Sequence, residues 1–139
     1  FQTTTTTTVD TGPSGVSIEL QKKDKGLTAL GVPYSTDIAK DLVNYYADKW
    51  DVSPRVMWNV VTCENKALNP MLQSYFPYKD GPNSRENSWG LAQWNLDAHP
   101  EFKREQVQNP DFALNEMAKS FNKGDYWKWT CYTKIYGKT

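Results

Sequence analysis

Along STDIAKDLVNYYADKW, Ile38, Leu42, Tyr45 or Tyr46, and Trp50 recur every three or four positions between polar residues. That period lines side chains up on one face of an α-helix, and Ser35, Thr36 or Asp37 can cap its first turn. A second helix is predicted from about 54 to 64, with Ser53 as N-cap and Pro54 at the first helical position, where a missing N–H does no harm. NPDFALNEMAKSFNKG repeats the device. Asn109 caps, Pro110 opens, Phe112, Ala113, Met117, Ala118 and Phe121 form the apolar stripe, and Gly124 stops the helix. Between the second and third helices lie a long loop over about 71–87 and a short helix expected over about 88–95. Near the start, VSIELQ (16–21) alternates apolar and polar residues, as a short strand or an extended arm would.

Composition divides the chain. Six consecutive threonines at 3–8, followed by VDTGPSG, cannot bury enough surface to offset ordering, so residues 1–15 are expected to be a disordered Thr-rich linker. Residues 16–139 are then expected to form one mainly α domain, a size a single core serves well. The 14% aromatic share is weighted toward Trp and Tyr, whose flat rings with a polar handle suit carbohydrate faces as well as cores. Lys plus Arg and Asp plus Glu balance at 16 each, so no large field points to nucleic acid. No apolar run approaches the roughly 18 residues a bilayer crossing needs.

Cys63 and Cys131, with the single His99, make a poor zinc set, because structural sites cluster four ligands; no metal is expected. The cysteines are either two buried thiols or one disulfide closing a loop of about 70 residues, and the extracellular look of the Thr-rich tail favours the disulfide. His99, followed by Pro100, is expected at the surface.

In the second helix Val56, Val60 and Glu64 stand four residues apart, close to one face. A carboxyl at the edge of an apolar face loses hydration of its charged form and can hold a proton near neutral pH, as a general acid for glycoside cleavage must. A glutamate near a helix end can equally turn into solvent.

The neighbouring residues favour the acid. Glu64 is followed by Asn69-Pro70 and Ser74, then by Ser88-Trp89-Gly90-Leu91-Ala92-Gln93, and later by Phe121-Asn122-Lys123-Gly124 with Trp127. In this order, over roughly residues 40–130, the chain resembles the lysozyme-like superfamily of lytic transglycosylases, with its soluble-transglycosylase and goose-type lysozyme branches. Asn65 stands where that family usually has Ser, and Phe121 where it often has Tyr. The resemblance implies a lysozyme-like helical fold. It implies that Ser88 and Gln93 line the floor of a sugar-binding cleft, that Gly90 allows close backbone approach, and that Asn122 belongs to the binding set. Trp89 and Trp94, five residues apart, are expected to divide between core and cleft, with Trp94 in the cleft.

The implied partner is the glycan strand of peptidoglycan; no cofactor is expected, and a monomer is compatible with the sequence, which leaves the oligomeric state open. In the implied chemistry Glu64 protonates the oxygen bridging N-acetylmuramic acid and N-acetylglucosamine, then serves as base while the substrate's 6-hydroxyl closes a 1,6-anhydro ring. A hydrolytic muramidase would need a second carboxylate to position water, for which Glu86 comes first, ahead of Asp80 and Asp97. Two alternatives stay open: a glycan-binding or cell-envelope assembly module that lost turnover, and an enzyme cutting chitin-like polymers. Each places the chain outside the cell or in its envelope, secreted or tethered through an upstream segment.

Overall fold

The computed structural model describes residues 34–137, so the linker expected over 1–15 and the extended segment expected over 16–21 lie outside the described residues. The described chain is mainly helical. Helix α1 (Thr36–Lys49) is capped by the Ser35 hydroxyl, which accepts from the Ile38 N–H. Helix α2 (Pro54–Glu64) starts at the expected Ser53-Pro54 pair, with Ser53 accepting from the Val56 N–H. Helix α3 (Arg104–Val107) is a single turn leading into α4 (Pro110–Asn122). Asn109 caps α4 by accepting from the N–H groups of both Asp111 and Phe112. Helix α5 (Thr130–Tyr136), not anticipated from the sequence, closes the fold.

The apolar stripes read from the sequence meet in one core. Leu42, Met57, Val60, Leu114, Met117 and Phe121 are fully or almost fully buried, and α1 packs on both α2 and α4, while α5 packs on α2. Polar ties fix the α1–α4 pairing: the Tyr46 hydroxyl donates to Asp111 Oδ1 at 2.8 Å and the Trp50 indole N–H to Asn115 Oδ1 at 2.9 Å.

The segment expected as a helix over 88–95 is instead a minimal antiparallel hairpin, β1 (Ser88–Trp89) and β2 (Trp94–Asn95), with Trp89 opposite Trp94. Gly90 and Gln93 both take positive φ, +84° and +51°, which no right-handed helix accommodates.

The long loop is also more ordered than expected. Gln73 bridges Trp89 and Pro77 bridges Arg85, both antiparallel. In the same register the Ser74 N–H donates to the Ser88 carbonyl, the Glu86 N–H to the Phe76 carbonyl and the Tyr78 N–H to the Ser84 carbonyl. Residues 73–78 and 84–89 therefore form a narrow two-stranded ribbon that runs into β1.

Asn109 is fully buried and accepts from two first-turn N–H groups of α4, the helix that carries much of the core. Asn109→Ala is therefore expected to lower unfolding stability by about 1–2 kcal/mol in a urea titration, at unchanged m-value.

Candidate active site

Glu64 is the last residue of α2, half-buried beyond Val60 and Val61, whose side chains are fully enclosed. Its Oε2 accepts from the peptide N–H of Cys131 at 3.2 Å. The same Cys131 is joined by a disulfide to Cys63, the residue before Glu64, with the two Cα atoms 6.0 Å apart. The expected disulfide thus sits against the expected acid: it fastens the end of α2 to the first turn of α5, from which the hydrogen-bond donor comes.

The Glu64 carboxyl is pushed above the ordinary glutamate range. Burial is the main cause. The Cys131 N–H opposes it by stabilising the anion, the nearby Glu86 carboxylate adds to it by repulsion, and Lys134 opposes it by attraction. Glu86 in turn accepts a hydrogen bond from the Ser88 hydroxyl on Oε1 at 3.0 Å. Glu64 at the end of α2 and the Glu86–Ser88 pair of the ribbon are therefore brought into one neighbourhood.

Asn65 is 1% exposed and acts as a bracket behind this group. Its side-chain amide donates to the carbonyls of Asn69 and Gly90, and its Oδ1 accepts from the Asn69 N–H. The residue where the resembling family usually has Ser therefore ties the end of α2 to the Asn69-Pro70 turn and to the hairpin.

Other expected residues lie elsewhere or do other work. Gly90 does permit close approach, but to the protein itself: a Cβ there would collide with the Val107 carbonyl. Gln93 is half-buried and its amide donates to the carbonyls of Leu72 and Gly90, holding the hairpin turn against the segment after Pro70.

Trp94 is 3% exposed and is a core residue rather than a cleft residue. Its indole N–H donates to the Ala113 carbonyl inside the fold, and its ring meets His99, Phe102 and Trp129 edge to face. Its small open edge borders a polar crevice of about 130 Å³ with His99, Glu116 and Lys119, and neither Glu64 nor Glu86 lines it. Trp89 is also buried, its indole N–H donating to Asn87.

Asn122 is exposed at the end of α4, where its amide donates to the Trp50 carbonyl, so it ties α4 to α1 instead of reaching the carboxylates. His99 is half-buried against Trp94 and Phe102, not a free surface residue. Asp97 accepts from the Asn87 amide and Asp80 is exposed beyond the paired residues of the ribbon, which leaves Glu86 as the second carboxylate acting on Glu64.

Among the described residues no group of His, Cys, Asp and Glu is arranged to hold a metal ion. Comparison of the chain with protein-family models, with curated proteins and with solved structures finds no match in any of the three.

Two measurements follow from this geometry. Between the pH near 4.3 at which a glutamate in an unfolded chain ionises and the higher pH at which Glu64 ionises in the folded chain, the native state binds more protons. Stability then falls as pH rises through that interval. Glu64→Gln removes this loss, so the variant is expected to be more stable than the wild type at pH 7, with the difference closing as pH drops below the unfolded value, read by thermal melts across pH. Gly90→Ala combines a positive φ with a backbone collision and is expected to cost more than about 2 kcal/mol in a urea titration.

Proposed function

We propose that the chain is a lysozyme-like glycosidase that cuts the bond between N-acetylmuramic acid and N-acetylglucosamine, as a lytic transglycosylase or a muramidase, with Glu64 as general acid and base. The observation that carries this reading is the Glu64 carboxyl, held above its ordinary range by burial yet oriented by the Cys131 N–H, beside a second carboxylate that is itself fixed by a serine hydroxyl. A carboxyl that keeps its proton toward neutral pH can deliver it to a poor alkoxide leaving group.

In the reaction the Glu64 proton passes to the bridging oxygen while the bond from that oxygen to the anomeric carbon breaks, and positive charge develops on the sugar ring. Glu64, now a carboxylate, then takes a proton from the nucleophile as it bonds to the anomeric carbon. If the nucleophile is the sugar's own 6-hydroxyl, the product is a 1,6-anhydro ring; if it is water, the product is a reducing end. Glu86 and Ser88 bear on this choice. A carboxylate beside Glu64, restrained by a hydroxyl, is the kind of group that positions water in hydrolytic enzymes.

A second reading is a glycan-binding module of the same fold. It is favoured by Phe121, which is fully enclosed among Tyr126, Trp129 and Tyr132 and so offers no hydroxyl to the acid. The disulfide accords with an extracellular or cell-envelope setting for either reading, and no described helix is long and apolar enough to cross a membrane.

Incubation with purified sacculi, followed by mass measurement of released muropeptides, separates these outcomes. The account expects soluble fragments from the wild type, lighter by one water for a transglycosylase than for a muramidase, and a loss of at least about a hundredfold in Glu64→Gln. Sacculus binding without release would favour the binding module, release from chitin alone would reassign the polymer, and full activity in Glu64→Gln would remove the acid from its role.

A further inference from the structure

The ribbon of residues 73–78 and 84–89 keeps one register at both of its bridges, and that register sorts its side chains into two faces. Ser74 pairs with Ser88, Phe76 with Glu86 and Tyr78 with Ser84 through backbone hydrogen bonds, while Gln73, Tyr75 and Pro77 alternate with them and face the other way with Trp89, Asn87 and Arg85. Phe76 therefore stands on the same face as Glu86, its direct cross-strand neighbour at a Cβ spacing of about 5 Å. Phe76 is 63% exposed and Tyr78 48% exposed. Tyr75, at 73%, is more exposed than either but belongs to the opposite face, where the Arg85 guanidinium sits 4.5 Å from its ring centroid.

Large rings left in water on a braced backbone are suited to a ligand. The bracing is explicit: Arg85 donates through Nε to the Ser74 carbonyl and through a terminal nitrogen to the Gln73 carbonyl, and the Gln73 amide donates to the Pro82 carbonyl. The rings of Phe76 and Tyr78 are thus presented on a frame that needs little further ordering when something binds.

We propose that Phe76 and Tyr78 form a stacking platform for the pyranose rings of an uncharged glycan strand, leading along the ribbon to Glu86, Ser88 and Glu64. This rests on the reading of that carboxylate pair as a glycan site. Ring faces take the apolar C–H face of a sugar, and the carboxylates and hydroxyls beside them accept and donate to its hydroxyl groups. The charge on this face selects the occupant. The Glu86 carboxylate repels an anionic lipid surface or an acidic segment, and the ribbon's guanidinium is turned to the other side with Tyr75. The sugar backbone of a glycan strand meets neither obstacle.

The face assignment makes the test internal to the molecule. In the full chain carrying Glu64→Gln, which prevents turnover, binding of N-acetylglucosamine oligomers, uncharged glycan strands with the same pyranose rings, is followed by calorimetry. Adding Phe76→Ala is expected to weaken the apparent Kd about tenfold, and Tyr78→Ala several-fold, whereas Tyr75→Ala leaves it within about twofold. All three positions are exposed, and unchanged far-UV circular dichroism and melting confirm that each variant folds.

An equal loss in Phe76→Ala and Tyr75→Ala, or no loss in Phe76→Ala, overturns the platform. So does Phe76-dependent binding to phosphatidylcholine vesicles with none to glycan strands. Wild-type cleavage of sacculi, run in parallel, separates the two claims. Cleavage with a Phe76-independent Kd sinks the platform alone; ring-dependent binding without cleavage keeps the platform and removes the enzyme; absence of both binding and cleavage sinks both.

Discussion

A carboxyl group at the C-terminal end of a helix is in an unfavourable place for an anion, because the last peptide carbonyls already leave negative partial charge there. Glu64 is in that place, half-buried, with a second carboxylate nearby. What keeps it from turning away into water is the Cys131 N–H on Oε2, and what keeps Cys131 there is its covalent link to Cys63. One disulfide and one hydrogen bond thus close a small circuit through the end of α2 and the start of α5. Burial raises the carboxyl's hold on its proton above that of an ordinary glutamate, and the peptide N–H holds the carboxyl in a defined orientation. A general acid needs both properties at once.

The rest of the fold supplies the other wall. Asn65, next to Glu64, is bonded to Asn69 and to Gly90, so the geometry at the end of α2 is carried directly into the hairpin. The hairpin continues into the ribbon, and the ribbon delivers Glu86 with Ser88 on one of its faces. Gly90 is the pivot, since only a residue without a Cβ fits against the Val107 carbonyl while adopting φ +84°.

How much of this was legible in the sequence depended on whether the determining interactions are local. Helices α1, α2 and α4 were readable because start signals and apolar period agree within a few residues: Ser35, one of three candidates, caps α1, and Ser53-Pro54 and Asn109-Pro110 cap and open α2 and α4 as expected. Helix α5 was missed because TCYTKIY is short and rich in β-branched residues, and tertiary ties, the disulfide among them, hold it. The ribbon was read as a loop because Pro77, Gly81 and Pro82 punctuate it as turn residues do, and because its outward residues Phe76 and Tyr78 are aromatic, which inverts the usual alternation. Trp94 was misplaced because the partner of its indole N–H is a backbone carbonyl of α4, invisible to any spacing rule. Asn122 was misplaced for the same kind of reason, its partner being the Trp50 carbonyl. Glu64 and Glu86 were singled out by helix position and family resemblance, yet only coordinates reveal that each accepts from a specific donor, Cys131 and Ser88 respectively.

The central claim is that the folded chain withholds Glu64 from ionisation until a pH above that of an ordinary glutamate. Side-chain carboxyl carbon NMR of glutamate-labelled protein, with Glu64 assigned from the Glu64→Gln spectrum, reads this directly. A midpoint clearly above the ordinary value of about 4.3 is the result expected here. A midpoint at or below that value would mean that the Cys131 N–H and Lys134 outweigh burial and Glu86, and that the carboxyl holds no proton to give.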